Sequence, residues 1–337
     1  MSAEPKRRAD PRQLGRLARF VRPYRVHLLV GILATAVSSG LSLLVPQFFG
    51  RFFDAFVAGQ GFEQLNRVVV VILALFVVQS AFNFARTYLI SLVGEGVVAD
   101  LRCALYDHLI FLPLAFFETR KTGELTSRLT SDVAVVQGAV SQALVQVVSQ
   151  GVLLLGSVVL LFVTNFRLTL LMLAVVPVVV VGSAFFGRQL RRISTRFQDA
   201  VAAANARAEE ALVGVRVVKS FTAEGLESAR YGEQVRLSYR IALRRAVYRS
   251  LFIAGITLAM FSAISVVIWY GGRLVVAEAL TPGSLVTFLL YTFFVAGAVG
   301  AMTGLYGQFQ EALGASARIF ELLDEPGDPR GEADRET

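Results

Sequence analysis

Two stripes of polar side chains interrupt long apolar stretches of this chain. The residues are Gln79, Asn83 and Arg86 in the first stretch, and Gln142, Gln146 and Gln150 in the second. Intervals of three and four residues place each set on one face of a helix. Such a stripe is suited to line a watery cavity, because contact with lipid would leave its polar groups unsatisfied. The alternative, of equal weight, is that the stripes join neighbouring helices, at about 0.6 kcal/mol for each interhelical hydrogen bond.

Arg86 is the residue in these stripes whose contact with lipid would be most unfavourable, because a cation at the centre of a bilayer costs about 2.5 to 3.5 kcal/mol on insertion scales. An intramembrane cation usually has a partner. Glu95, nine residues further along, is a poor match on the same helix, and the sequence identifies no other. Gln308 and Glu311 share a face at the inner end of a later apolar stretch. Gln308 joins the cavity candidates, whereas Glu311 is interpreted as part of a solvated helix end.

Six apolar stretches must position these side chains. Hydrophobic residues make up 55% of the 337 residues and charged residues only 17%, which is unusual for a soluble domain. Each stretch approaches the ~20 residues that a helix needs to cross a bilayer. The stretches are 27–48, 68–93, 140–163, 168–186, 251–269 and 285–305. We therefore predict an all-α membrane protein with six transmembrane helices and both termini on one side.

The distribution of basic residues predicts the orientation. If the N-terminus is cytoplasmic, only four of the 33 Lys and Arg residues fall in the outer connections. These are Arg51, Arg67, Arg167 and Arg273. Basic residues concentrate in cytoplasmic loops of membrane proteins, so we expect a multi-pass protein of the cell (inner) membrane with both termini cytoplasmic. The net charge of +8 is explained in the same way, and no nucleic-acid partner is expected.

Several kinds of site are excluded by the residues available. Cys103 is the only cysteine, so no disulfide forms within the chain, and His27 and His108 are too few and too distant for a metal site. Residues 94–99 match the dinucleotide pattern G-x-G-x-x-A. No alternation of strands and helices surrounds them, so we assign them no nucleotide role.

Long polar extensions separate some of the apolar stretches. Residues 188–213 contain neither Gly nor Pro and predict a helix of roughly 39 Å, at 1.5 Å per residue, beyond the membrane. The chain would turn near 213–225 and return, and a matching pair of extensions surrounds 116–132. Residues 1–10 are interpreted as a disordered basic tail, 11–23 as an interfacial elbow helix and 24–323 as the six-helix domain. Such extensions suggest a soluble partner domain.

Four segments resemble the transmembrane domain of ABC exporters, in that family's order. They are 116–132, 217–224, 269–285 and 317–326. The resemblance implies that two such halves pair, as a homodimer or heterodimer, with helices four and five crossing to the partner. It also implies cytoplasmic loops that press against a nucleotide-binding domain. The residues expected there are Thr122, Gly123, Glu124, Leu125, Arg128, Val217, Lys219, Ser220 and Phe221. Gly123 and Gly214 suit tight turns, because glycine allows φ > 0.

No phosphate-binding loop of the form G-x-x-x-x-G-K-[ST] occurs in the sequence. The three lysines, Lys6, Lys121 and Lys219, follow Pro, Arg and Val rather than Gly. We therefore expect these residues to bind no cofactor and to hydrolyse no ATP. The resemblance assigns ATP and Mg²⁺ to a nucleotide-binding domain outside the given residues, with 324–337 as the linker towards it.

The sequence thus predicts the membrane-spanning subunit of an ATP-driven exporter that alternates between inward- and outward-facing states. Its partners would be a second transmembrane half, a nucleotide-binding domain, membrane lipids and an exported substrate that the sequence does not identify. Two alternatives stay open. An ATP-independent channel or secondary carrier would favour acidic residues within the spans, and the six stretches contain none. A membrane receptor or scaffold could use the same extensions to bind a cytoplasmic partner without transporting anything.

Overall fold

The structure, a computed structural model, describes residues 12–59, 62–120 and 122–327. The tail predicted at 1–10, Lys121 and residues 328–337 of the predicted linker lie outside this part of the chain. Within it, helices follow one another with no strand between them. The all-α fold class is confirmed.

The helices of the described residues are numbered in chain order. They are α1 (Arg12–Val21), α2 (Arg25–Ser42), α3 (Val45–Val57), α4 (Phe62–Ile110), α5 (Leu114–Thr119), α6 (Thr122–Ser127), α7 (Val133–Gly138), α8 (Leu144–Thr164), α9 (Phe166–Val213), α10 (Val215–Ser220), α11 (Glu224–Val276) and α12 (Pro282–Leu323). A 3-10 turn at Arg22–Tyr24 joins α1 to α2. Two π-helical turns, Arg128–Asp132 and Ala139–Ala143, flank α7.

Five helical stretches of the described residues are long and apolar enough to cross a bilayer. They are Gly15–Val57, Phe62–Ile110, Thr122–Thr164, Glu224–Val276 and Pro282–Leu323. The predicted span 168–186 lies in α9, and the structure does not describe the side chains of several residues there. At 1.5 Å per residue, the 53 residues of α11 extend roughly 80 Å, against a hydrocarbon core of about 30 Å. Much of this helix must therefore project beyond the membrane.

The contacts divide the chain into two compact units. The first unit comprises residues up to Thr164 together with those from Glu278 onwards, and the second comprises Asn165–Ala277. In the first unit, α2 packs on α4 and α8, while α12 packs on α3 and α8. In the second unit, α9 and α11 form a helical hairpin closed by the short helix α10.

The first predicted span is two helices rather than one. It breaks at Leu43 and Leu44, and Pro46 lies in the first turn of α3, where its missing N–H costs no hydrogen bond. The break leaves backbone carbonyls without helical partners, and α12 donates hydrogen bonds to one carbonyl at the break and to one in the first turn of α3. The hydroxyl of Tyr291 donates to the carbonyl of Leu43 at 2.6 Å, and that of Thr287 donates to the carbonyl of Pro46 at 3.0 Å. Tertiary contacts thus stabilise a break in an apolar segment.

The beginning of α12 is held against α3 by Asp54. Its carboxylate accepts hydrogen bonds from the backbone N–H of Gly283 at 2.7 Å and from the hydroxyl of Thr281 at 2.9 Å. Carboxylates are favoured at a helix N-terminus, where N–H groups lack helical partners. Gly50 lies beside Gly283, and the two backbones approach so closely that neither position has room for a Cβ atom.

At the other end of α12, a cluster of buried apolar side chains joins five elements of the first unit. Its members come from α1, α4, α6, α7 and the last turns of α12. The fully buried ones include Leu101, Leu105, Val133, Ile319 and Leu322. The carboxylate of Asp132 closes one side of the cluster by accepting two hydrogen bonds from the guanidinium of Arg318, at 2.6 and 2.9 Å. The cluster fixes the end of α12 to α4 and to the segment that holds α6.

Helix α1 coincides with the predicted elbow helix, and it is anchored on α12. Leu17 is buried in the apolar cluster. The guanidinium of Arg16 lies 4.5 Å from the centre of the Phe320 ring and donates two hydrogen bonds, both of 2.6 Å, to Asp324. The apolar face of α1 therefore packs, at least in part, against protein. Its position at a membrane surface stays a prediction.

The Arg16–Asp324 pair predicts a small effect of pH on stability. The hydrogen bonds from Arg16 lower the pKa of Asp324, assisted by the charges of Arg16 and His108. The pair therefore stabilises the fold above the ordinary carboxyl pKa of about 3.9, and this contribution is lost as pH falls through the lowered pKa. We expect Asp324→Asn to lower the free energy of unfolding by about 0.2 to 1 kcal/mol at pH 7, since the pair is largely exposed.

Thermal unfolding in detergent at several pH values would measure this effect. The difference between the original protein and Asp324→Asn should disappear in acid. Glu311→Gln is the matched control, because Glu311 also lies on α12 but has no ion pair among the described residues. A pH-independent difference, or an equal effect of Glu311→Gln, would contradict the prediction.

Candidate functional site

Two adjoining pockets lie within the first unit. The larger, about 610 Å³, runs between α4 and the segment formed by α7, the second π turn and α8. The smaller, about 360 Å³, lies where α2, α4 and α8 meet. Arg86 and Ser149 line both pockets. Ten of the fourteen residues around the larger pocket are polar, although the helices that bear them are mostly apolar.

The structure brings six of the seven predicted cavity residues to these pockets. Gln79 and Asn83 line the smaller pocket, and Gln142, Gln146 and Gln150 line the larger one, with Arg86 between them. The seventh, Gln308, is exposed on α12 and borders neither pocket. Spacing alone correctly grouped the side chains on each helix, and the packing of α4 against α8 brings the two groups together.

A π-helical turn adds another glutamine to the row on the third predicted span. Gln137 precedes Gln142 by five residues, a spacing that an ordinary α-helix would place on different faces. The turn at Ala139–Ala143 brings positions five residues apart into line, so Gln137 borders the same pocket as Gln142, Gln146 and Gln150. Sequence reasoning missed Gln137 because it assumed regular α-helical periodicity.

The hydrogen bonds of the pocket walls bear on the two interpretations of the stripes. Gln79 donates to the hydroxyl of Ser42 at 2.6 Å, which fits a role in joining helices. Ser39 also bonds Ser149 across the helices, at 2.9 Å. In contrast, the amides of Gln142, Gln146 and Gln150 have no hydrogen-bond partner among the described residues. These three amides are free to bind water or a ligand in the larger pocket.

Gly94 and Gly96, which produced the dinucleotide-like pattern, serve helix packing. A Cβ at Gly94 would collide with the hydroxyl of Ser141, and one at Gly96 would collide with the ring of Tyr24. Both glycines lie inside α4. The described residues contain no strand, and therefore no strand–turn–helix arrangement around these glycines. Between them, Glu95 accepts a hydrogen bond of 2.8 Å from Gln137. The small residues therefore permit close contact between helices.

The first predicted coupling loop forms α5, α6 and the first π turn. Thr122, Gly123 and Glu124 are exposed, as a docking surface requires. Leu125, by contrast, is buried in the apolar cluster. The guanidinium of Arg128 donates to Glu124 at 2.6 Å and to the backbone carbonyl of Arg318 at 3.1 Å. Leu125 and Arg128 therefore hold the loop to α12.

Helix α5, at the beginning of this loop, presents apolar side chains that the sequence analysis did not select. Leu114 is 74% exposed and Phe117 is 40% exposed. On such a short helix, only the mixture of apolar and polar residues in 114–119 could have indicated an exposed apolar face. Together with the exposed part of α6, this face forms the first candidate docking surface.

The second predicted coupling loop forms α10, at the tip of the α9–α11 hairpin. Val217 and Phe221 are both exposed, Phe221 to 79%. Ser220 is exposed too, and the ammonium group of Lys219 bonds Glu224 at 2.9 Å. Arg207 of α9 reaches Glu227 of α11 at 3.5 Å, which ties the two long helices together below the tip. The apolar side chains here have no covering residues within their own unit.

Neither Gly123 nor Gly214 uses the positive φ that glycine allows. Gly123 is part of α6, and Gly214 has a φ of −85°. The residue with left-handed backbone near the tip is Thr222, with a φ of 50°. It follows Phe221 and allows the chain to enter α11. Helix α9 therefore ends at Gly214 without left-handed backbone at that residue.

The sequence as a whole matches a known family. The family model described as the ABC transporter transmembrane region covers residues 28–299. The chain belongs to this family. All the pocket residues and the residues of both predicted coupling loops discussed above fall within the matched range, whereas Gln308 lies outside it. The resemblance drawn from the four sequence segments is confirmed.

The relatives of this ABC transporter transmembrane region are larger proteins. It is 33% identical over 311 residues to ABC transporter B family member 1 of Dictyostelium discoideum, covering 92% of the chain and 34% of that protein. It is 31% identical to the mitochondrial ATP-binding cassette sub-family B member 10 of Mus musculus, covering 93% and 44%. It is 29% identical to the ATP-dependent lipid A-core flippase of Chromohalobacter salexigens, covering 92% and 54%. The chain thus spans about a third to a half of these relatives.

Proposed function

We propose that this chain forms the membrane-spanning part of an ATP-driven exporter, in which the polar pockets of the first unit belong to the substrate pathway. The observation that carries this proposal is the set of uncovered apolar side chains at the tip of the α9–α11 hairpin. Large exposed apolar groups on a polar extension are typical of protein interaction sites. The family match supports a nucleotide-binding domain as the protein that covers them.

The mechanism follows from the rigidity of the long helices. Binding of ATP between two nucleotide-binding domains would move α10 and the exposed face of α5 and α6. Because α9 and α11 are continuous through the membrane-spanning length, movement at the tip is transmitted to the spans. The pathway then changes from inward- to outward-facing and releases the cargo. ATP and Mg²⁺ are held by the nucleotide-binding domain, because these 337 residues contain no phosphate-binding loop.

A second transmembrane half, identical or different, completes the pathway in this proposal. Support comes from α12, where Gly300 and Gly304 form a face of small residues with no heavy atom within 4 Å of the positions that their Cβ atoms would occupy. Such faces allow close contact between membrane helices. The face is therefore free to pack against a helix of the partner.

Cys103 offers a direct test of the proposed orientation, with both termini in the cytoplasm. It is the only cysteine and is exposed on α4, beyond the second apolar stretch. A membrane-impermeant maleimide should label it in inside-out vesicles and not in intact cells. Labelling of intact cells would contradict the orientation.

The proposed coupling predicts a strong effect of Phe221→Ser. With a nucleotide-binding domain fused or co-expressed, ATP-dependent transport into inside-out vesicles, which corresponds to efflux from the cell, should fall by at least about tenfold, since a central aromatic anchor at an interface contributes on the order of 2 kcal/mol or more. Val276→Ser is the matched control, because Val276 is 87% exposed at the opposite end of α11. It should leave the efflux rate unchanged. Equal efflux by both variants would exclude α10 as the coupling surface.

Two further assays separate this function from its alternatives. Transport by the chain in liposomes without ATP would indicate a channel or secondary carrier. Capture of the α10 surface by a protein other than an ATPase, without any transport, would indicate a receptor or scaffold.

A further inference from the structure

Arg86 is the only Asp, Glu, Lys or Arg in the six apolar stretches of the sequence. A second copy of the chain would therefore bring another Arg86 into the membrane but no acidic residue from those stretches. Neutralisation of this cation by an embedded carboxylate of a homodimer is excluded by composition. Its counter-charge must come from the ends of the spans, from a different partner chain or from a bound molecule.

The surroundings of Arg86 in the described residues provide no ion pair and no hydrogen bond to its side chain. Glu95 is the one acidic residue that lines the larger pocket with it. That carboxylate already accepts a hydrogen bond from Gln137. Nine residues also separate Glu95 from Arg86 on α4, which corresponds to roughly 13.5 Å along the helix. The positive charge of Arg86 is thus left uncompensated within the unit.

The groups around Arg86 are suited to bind an anion. Arg86 lies where the two pockets adjoin, beside Ser149, with the unpaired amides of Gln146 and Gln150 in the larger pocket. A guanidinium offers five N–H donors in a planar fork, and amides and hydroxyls donate further hydrogen bonds. Oxyanions such as phosphate, sulfate and carboxylate accept bonds of this kind in pairs. A neutral group could accept hydrogen bonds from these donors but would leave the charge of Arg86 uncompensated, and a cationic group would be repelled by it.

We propose that Arg86 binds an oxyanion carried by the transported molecule, so that the cargo of this chain is an anionic compound. The inference rests on the proposed function, since it treats the pockets as part of the substrate pathway. Gln142, Gln146 and Gln150 hydrogen-bond the polar part of the same molecule along the larger pocket.

Binding of octyl phosphate and of octanol to the chain in neutral phosphatidylcholine nanodiscs tests the proposal, with binding to empty nanodiscs subtracted. Arg86→Gln should weaken octyl phosphate binding by about tenfold or more, as expected for loss of a charge-assisted hydrogen bond, and leave octanol binding unchanged. Arg67→Gln is the matched control, because Arg67 is exposed on the same helix and lines neither pocket. It should change neither affinity. Arg86→Lys, which keeps the charge, should retain part of the affinity for octyl phosphate.

An equal loss of affinity for octyl phosphate and for octanol in Arg86→Gln would show a structural role for Arg86 and overturn the proposal. Unchanged binding of octyl phosphate would overturn it too. Two competitors distinguish the source of the oxyanion. Competition by inorganic phosphate would support a water-soluble anion, and competition by phosphatidylglycerol in the nanodisc would support a lipid headgroup. The assay requires no ATP. Octyl phosphate binding that does not depend on Arg86 therefore refutes the anion site, whereas Arg86-dependent binding without ATP-driven efflux refutes only the proposed function.

Discussion

Replacing Leu105 by alanine is expected to lower the free energy of unfolding by about 2 to 5 kcal/mol, the range for a buried leucine whose removal leaves a cavity. Leu105 has no exposed surface and lies within the apolar cluster that joins α1, α4, α6, α7 and α12. Titration with a denaturing detergent, followed by circular dichroism, would measure the change.

Tyr106→Ala provides the matched control for Leu105→Ala. Tyr106 is the next residue of α4 and is 58% exposed. Its removal should change the free energy of unfolding by no more than about 0.5 kcal/mol. Similar losses for the two variants would show that the cluster does not stabilise the first unit.

Gly50→Ala is expected to destabilise the junction of α3 and α12 by about 1 to 3 kcal/mol, the usual cost of overpacking. The added Cβ would lie 2.6 Å from the backbone carbonyl oxygen of Gly283 and would also collide with the hydroxyl of Thr287. Because the nearest backbone atom belongs to a helix held by Asp54, the strain cannot be relieved by rotating a side chain.

Gly40→Ala, which makes the same chemical change in α2, is expected to raise the free energy of unfolding rather than lower it. No heavy atom lies within 4 Å of a Cβ at Gly40, so alanine should stabilise the helix by about 0.5 to 1 kcal/mol through lower backbone entropy of the unfolded chain. Detergent unfolding of both variants under the same conditions would test the contrast. Stabilisation by Gly50→Ala would contradict the close approach of α3 and α12.

The junction of α3 with α12 and the apolar cluster around Leu105 give α12 a defined place in the proposed mechanism. Its beginning is fixed to α3 by Asp54, and its end is fixed to α4 and α6 by the apolar cluster. A force applied to the exposed face of α6 is therefore transmitted to a helix that spans the membrane. Leu125 and Arg128 hold this loop to α12, and their contact with a nucleotide-binding domain stays a prediction.

Local properties of the sequence determined the fold class and the long helices. Apolar stretches of about 20 residues predict membrane-spanning helices wherever they occur, because an unpaired backbone is too costly in hydrocarbon. The end of α9 at Val213 also followed from the composition of its surroundings, since 188–213 contains neither Gly nor Pro and Gly214 comes next. Exposure of Phe221 was expected from its place in a polar loop, and the structure shows it.

Tertiary structure decided which of the polar residues share a pocket. The π turn at Ala139–Ala143 brings Gln137 into line with Gln142, and the break before Pro46 is compensated by Tyr291 and Thr287 of α12. Neither feature has a signal in residue spacing. The physical reason is that helix periodicity is a property of neighbouring residues, whereas helix breaks and π turns persist only when distant segments compensate them. Gln308 has a suitable residue type but lies outside both pockets, because no described residue of α12 lines either of them.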